Sequence, residues 1–309
     1  MTFGFEELTY EMPSNLVDVD TLIRDAGYGD EMVARVKSGG LRRVPVASGK
    51  PLTELINLSI RKLGRTIPSL SSKVKGIILA HSIPFLAPSH IPFINLCLQG
   101  SDLENIPSIG VSGQPCAVIH LAVQLAGFWL EKIPDDMGIL VIGADQAYSP
   151  EERIFFGSAM GDVSLAGLVT KNSLQNRVLA SFVHSEIIAY EGELSPEADI
   201  AHFRKLNPLF IRYAIESCLQ RGGVNLNDLS YIIPHTPYTM IWDVIAELLR
   251  YPRERILTDY ISETGHLNSN DSFVHYTRAT VEGKIKSGDL ALLVNPGFGG
   301  TRGCTLIRR

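Results

Sequence analysis

No apolar run in this 309-residue chain approaches the roughly 20 residues a membrane-spanning helix needs, so none is expected. Cysteine is scarce. Cys97, Cys116, Cys218 and Cys304 are widely scattered and form no CxxC pair, which argues against a zinc centre or a disulfide framework. No long basic block is present and the net charge is −5, so neither nucleic acid nor an anionic membrane is expected as a partner. The N-terminus, Met1 to Glu7, is acidic and has neither the basic nor the apolar region of a signal peptide, which makes the cytoplasm the expected location. Hydrophobic residues make up 45% and charged residues 20%, the balance of a globular chain long enough for one large domain or two fused halves.

The apolar patterning is that of an α/β protein. Pro51 opens an amphipathic helix from Leu52 to Leu63. Short continuous apolar runs suit buried strands at Gly76–Ala80, Gly138–Asp145, Leu229–His235 and Asp289–Asn295. Between them lie a proline-rich loop (Pro84, Pro88, Pro92) and apolar helices. One runs from about Cys116 to Lys132, one from Leu209 to Leu219 opened by Pro208 and ended by Gly222-Gly223, one from Thr239 to Leu249 and one from Val274 to Lys286. The first forty residues read as a peripheral segment with a charged helix around Val17 to Arg24. Strand, helix and strand recur in each half in the same order, which implies two α/β halves with mainly parallel central strands. Val178 to Glu191 reads as a strand shared by both.

Cys116 follows Ser112-Gly113-Gln114-Pro115 and opens the first of these apolar helices. A thiol at a helix N-terminus feels the positive end of the dipole, which favours the thiolate. The plain alternative is a buried small hydrophobe. His235 ends a buried strand, where ligands gather in open α/β sheets. Glu263 to Ser272 is a polar loop opening a helix. In it Asp271 has an ordinary explanation as a helix cap, whereas His266, beside Gly265, has none. The segment Pro296–Cys304 is glycine-rich but precedes a strand, a poor match to a dinucleotide fingerprint. Its glycines can instead bring backbone N–H groups to a reacting oxygen, or simply turn a hairpin. Cys116 and His120 share a helix face, but no third ligand has suitable spacing and no metal is expected. His81, His90, His184, His202 and His275 are expected to be structural or exposed. The stretch Phe156–Val163 reads as a turn in which Asp162 holds loop amides.

In this order and spacing the pieces resemble the thiolase superfamily, and within it the β-ketoacyl-ACP synthase III branch with its acyltransferase offshoots. The resemblance implies a thiolase-like fold of two pseudo-symmetric halves, residues 1–172 carrying the nucleophile and 173–309 the histidines, with central mixed sheets in an α-β-α-β-α layering. It places the nucleophile at Cys116 and the first imidazole at His235. The family's Gly-Asn-Thr-Ser stands here as Gly265-His266-Leu267-Asn268, so His266 takes the place of the asparagine. A Cys-His-His set resembles the elongating ketosynthases. Some offshoots use a carboxylate instead, for which Asp271 is the candidate. The oxyanion hole maps onto the N–H of Cys116 and of Gly299 or Gly300. Gly40-Leu41-Arg42-Arg43 resembles a stretch in which an arginine approaches coenzyme A phosphates. The implied activity is acyl transfer from an acyl-CoA or acyl carrier protein thioester through Cys116, with no bound cofactor and in a homodimer. Two second steps stay open, together with a non-catalytic role as a heterodimer partner. Decarboxylative condensation in fatty acid or polyketide biosynthesis is preferred, because a second histidine can stabilise an enolate. The alternative passes the acyl group to an alcohol or amine.

Overall fold

In the computed structural model, residues 2–83, 86–88, 90–155, 157–186, 188–189, 191 and 194–309 are described. Pro84 of the proline-rich loop and Phe156 of the turn expected over Phe156–Val163 lie outside them, as do Ile187 and Tyr190 of the expected shared strand. The strands are β1 (Phe3–Glu11), β2 (Leu16–Asp18), β3 (Arg43–Pro45), β4 (Val74–Ala80), β5 (Ser108–Val111), β6 (Gly138–Asp145) and β7 (Ile154–Phe155). They continue with β8 (Ser158–Ala159), β9 (Val163–Lys171), β10 (Arg177–Ser185), β11 (Tyr231–Pro234), β12 (Leu290–Pro296) and β13 (Thr301–Arg308). The helices are α1 (Val19–Asp25), α2 (Asp30–Ser38), α3 (Leu52–Thr66), α4 (Leu70–Lys73), α5 (Phe93–Leu98) and α6 (Val118–Leu130). After them come α7 (Pro150–Arg153), α8 (Glu197–Gly222), α9 (Met240–Leu249), α10 (Ile261–Thr264) and α11 (Asp271–Val281).

Nine strands form one sheet in the order β11-β12-β13-β10-β1-β9-β6-β4-β5. Its pairing pattern is written twice. In the first half β1 runs antiparallel to β9, β9 antiparallel to β6, and β6 parallel to β4. In the second, β10 runs antiparallel to β13, β13 antiparallel to β12, and β12 parallel to β11. Beyond β4 lies the parallel strand β5, and beyond β11 a single parallel bridge to Ile256. The two halves meet where Phe3 and Gly4 pair with Val178 and Arg177.

The apolar runs explain the layers. All eight residues of β6 are buried, as are six of the seven of β4, which suits strands covered on both faces. Helices α6 and α11 share one core cluster with strands of both halves and so form the middle layer. The apolar side of α3 (Leu52, Leu55, Ile56, Leu63) covers the first half from outside, and α8 and α9 cover the second. The result is an α/β fold built on a large mixed sheet flanked by helices.

Three expectations are corrected. The N-terminal segment is not peripheral, because β1 lies in the middle of the sheet between β10 and β9. Its burial runs in pairs rather than alternating, since a register shift between Phe5 and Glu7 breaks the period of two. The central strands are not mainly parallel, because the two inner strands of each half run against their neighbours. Pro208 does not open a helix but sits inside α8, whose first twelve residues carry only one buried side chain, Phe203, and no apolar stripe. At its other end α8 stops as expected, with Gly223 in the left-handed conformation. The shared strand β10 ends at Ser185.

Candidate active site

Cys116 precedes α6 by two residues and has a φ of +59°, a region that side chains other than glycine rarely adopt. The neighbouring peptides are pinned. Thr301 Oγ1 donates to the Pro115 carbonyl at 2.8 Å, and Asn295 Nδ2 donates to the Cys116 carbonyl at 2.9 Å. This is a strained turn held from outside.

His235 stands at the carboxyl end of β11. Its N–H donates to the Val294 carbonyl (2.8 Å) and its carbonyl accepts from Trp242 Nε1 (3.0 Å), so the backbone is fixed by both neighbours. Neither ring nitrogen has a hydrogen-bond partner among the described residues. His266 enters through Gly265, whose φ of +58° and close approach to the Ala159 carbonyl leave no room for a Cβ. The His266 N–H then donates to Ala159 O and its carbonyl accepts from Gly161 N, both at 2.9 Å. Its ring stacks on Phe155 and meets that of His235 edge-on at 4.4 Å between centroids.

His266 Nε2 lies 4.0 Å from Cys116 Sγ, while Nδ1 lies 2.7 Å from Asp271 Oδ2. Asp271 is not a cap for its own helix. Its carboxylate accepts from Leu267 N (2.7 Å), Thr236 N (2.9 Å) and His266 Nδ1. Sequence reasoning offered Asp271 as an alternative to His266, whereas the structure joins the two in series. Burial alone would raise the Asp271 carboxyl, but the facing His266 charge and its hydrogen bond, helped by His235 and His275, bring it down to about 2. An ionised carboxylate only accepts, so His266 Nδ1 carries the proton and Nε2 faces the thiol.

The expectation of a dipole-favoured thiolate is also corrected. Burial, then the Asp271 and Asp145 charges, push the Cys116 thiol up, so it needs a base to take its proton. Burial, and then His266, hold His235 well below the usual histidine range and therefore neutral.

A cavity of about 540 Å³ opens onto Cys116 and His235. Phe155, Phe203, Ile211, Met240, Ile241 and Phe298 give it apolar walls, and Arg35 and Arg204 supply its cations. The terminal turn is a tight hairpin between β12 and β13. Gly299 lines the cavity, whereas Gly300 faces Glu186 and accepts from its N–H at 3.0 Å. Arg42 and Arg43 are not among the lining residues. Arg42 donates to the carbonyls of Lys37 and Leu41, and Arg43 pairs with Glu263 at 3.3 Å. Asp162 holds the amides of Ala47 and Ala147, as expected, and also takes a bidentate contact from buried Arg153. His120 turns from Cys116 toward Thr305 Oγ1, at 2.7 Å.

Sequence reasoning missed Asn295, Arg35 and Arg204. Asn295 joins the Cys116 turn to the loop that carries His266, because Nδ2 donates to the Cys116 carbonyl and to the Ser269 carbonyl (2.7 Å). Its signal was legible, since it is a buried amide near the carboxyl end of an apolar strand, as His235 follows β11.

Residues 219–309 match the family model for the C-terminal part of 3-oxoacyl-[acyl-carrier-protein] synthase III. The chain is 30% identical over 315 residues to β-ketoacyl-[acyl-carrier-protein] synthase III of Aquifex aeolicus (strain VF5), covering 96% of each. A crystal structure of the 3-oxoacyl-[acyl-carrier-protein] synthase III from that organism superposes with a TM-score of 0.84 at 21% identity, over 99% of this chain and all of that one. ChlB3, described as an acyltransferase, superposes with a TM-score of 0.86 at 19% identity, over all of this chain and 98% of that one. With its helix–sheet layering and its buried cysteine facing two imidazoles, the chain belongs to the β-ketoacyl-[acyl-carrier-protein] synthase III family of the thiolase fold and is an acyltransferase.

Proposed function

We propose that Cys116 accepts an acyl group from an acyl-CoA or acyl carrier protein thioester and passes it to an alcohol or amine. The observation that carries this reading is the 2.7 Å contact between His266 Nδ1 and Asp271 Oδ2. It seats a proton on Nδ1 and turns Nε2 toward the thiol, the tautomer in which a neutral imidazole accepts a proton at Nε2. In the first step Nε2 takes the Cys116 proton as Sγ attacks the thioester carbonyl, and the departing thiol takes that proton. In the second step Nε2 takes the proton of the incoming hydroxyl or amine, and Cys116 leaves as the thiol once that proton returns. The N–H groups of Cys116 and Gly299 are the candidate oxyanion donors, each worth about 3 kcal/mol at the transition state. An enolate, by contrast, asks for two N–H donors, and His266 in this tautomer offers none. Condensation keeps one supporting observation, the unpartnered ring of His235 beside His266.

Arg35 and Arg204, rather than Arg42 and Arg43, are the candidates to meet the donor's phosphates, because they line the apolar cavity that leads to Cys116. The division into residues 1–172 and 173–309 is supported by the doubled strand pairing. A homodimer is supported by the one-sided pairing of edge strand β5 and the exposed Ile91, Leu96 and Ile109 around it. Light scattering tests it.

The function is tested with acyl-loaded protein offered malonyl thioester or a panel of alcohols and amines. Ester or amide formation without carbon dioxide release is expected. Release of carbon dioxide with a β-ketoacyl product overturns the transfer reading in favour of condensation.

A further inference from the structure

Cys116 Sγ and one ring nitrogen each of His235 and His266 lie within 4.8 Å of one another, all three residues buried. We propose that this cluster is a reversible zinc-binding site, in which Zn²⁺ occupies the acyl-accepting thiol and shuts the enzyme off. A thiolate and two imidazoles form a borderline-soft donor set that suits Zn²⁺ over the harder Mg²⁺ or Ca²⁺. With Zn–S about 2.3 Å and Zn–N about 2.0–2.1 Å, a sulfur and a nitrogen on a tetrahedral zinc stand roughly 3.6 Å apart. The present 4.0 Å between Sγ and His266 Nε2 closes to that with a small side-chain rotation.

Two features of the surroundings belong to metal sites. His266 gives its other nitrogen to a carboxylate, the contact by which proteins orient a ligating imidazole and raise its basicity. His235 is only 4% exposed and has no hydrogen-bond partner for either ring nitrogen among the described residues, so a ligand there satisfies an otherwise unmet polar group. Cys116 and His235 line the open cavity, from which water could supply a fourth ligand. The exchange balances as Cys116–SH plus Zn²⁺ giving Cys116–S⁻ bound to Zn²⁺ and one released proton. The sequence hid this set because its members are far apart in the chain. The cysteine–histidine pair four residues apart, Cys116 and His120, is broken by the turn of His120 toward Thr305.

That zinc inhibits rests on Cys116 being the acyl carrier; that zinc binds does not. The test therefore has two arms, both on the full chain. In the first, Co²⁺ replaces Zn²⁺ as an absorbing probe. One equivalent is expected to give a thiolate-to-cobalt charge-transfer band that disappears in Cys116→Ser. Asp271→Asn should weaken binding roughly 10- to 100-fold. In the second, one equivalent of Zn²⁺ from a metal buffer is expected to stop formation of the acyl adduct seen by intact-protein mass spectrometry, and a chelator to restore it. The proposal is overturned if wild type gives no band, if the band survives in Cys116→Ser, or if adduct formation proceeds with zinc bound. A band with the expected variant behaviour, in a protein that takes no acyl group even without metal, upholds the metal site and refutes the acyl-transfer reading instead.

Discussion

In the proposed reaction Asp271 is the residue on which the chemistry turns. Asp271→Asn keeps the volume but removes the charge that favours proton uptake by His266, and it sets an amide donor against one of the N–H groups that face the carboxylate. Acyl transfer is expected to fall about 10²- to 10⁴-fold, the usual contribution of a general base, in a stopped assay of ester or amide formation. The same group sets an acid limit on stability. Its folded value of about 2 lies below the ordinary 3.8, so its contribution is fully present above about pH 4 and is lost as pH falls toward 2. Urea titrations at pH 5 and pH 2.5 are expected to show wild type losing about 2 kcal/mol more than Asp271→Asn across that interval. The reactive types were legible in the sequence: a cysteine at a Gly–Pro turn, a histidine ending a strand, a histidine with no capping role. What could not be read was that Asp271 reaches back five residues to His266. A carboxylate at the first position of a helix has an adequate local explanation, and only the folded loop shows that it bonds Leu267, Thr236 and His266 instead.

Elements matter through the way they hold these residues. Asn295 ties the Cys116 turn to the loop before α11 through two carbonyls. Asn295→Ala leaves both buried acceptors unmet, at about 1–3 kcal/mol each. It is expected to lower the thermal midpoint and to slow acylation of Cys116, measured together by calorimetry and adduct kinetics. Pro208 acts in the opposite sense. Inside α8 it denies the Arg204 carbonyl its helical donor. Pro208→Ala is expected to stabilise the protein by about 1–3 kcal/mol in urea unfolding, offset in part by the freer unfolded chain. Elements with one unbroken pattern were legible. The run Gly138–Asp145 coincides with β6, and α3 begins at Leu52 as Pro51 foretells. The N-terminal turns of α8 were not, because they bury Phe203 alone.

At the scale of the whole molecule the nine-stranded sheet depends on its first strand. β1 links β9 to β10, and Phe5 N–H also donates to the Asn176 carbonyl at 3.1 Å. Deleting residues 2–11 is expected to abolish cooperative urea unfolding followed by circular dichroism, whereas a peripheral segment could be removed with little effect. The α/β class was legible from the buried apolar runs, and the mixed strand directions only from the family resemblance, since a strand buried on both faces reads the same whichever way its neighbour runs. The doubled pairing pattern has one last consequence. A chain that writes the same strand order twice is what copying and fusing a single ancestral unit produces. α6 packs on β6 and β4 in the first half as α11 packs on β12 and β11 in the second. Cys116 stands just before the first of them and Asp271 begins the second. The proposed nucleophile and its orienting carboxylate thus lie near the starts of matching helices in the two halves, so neither half carries the whole of the proposed reaction.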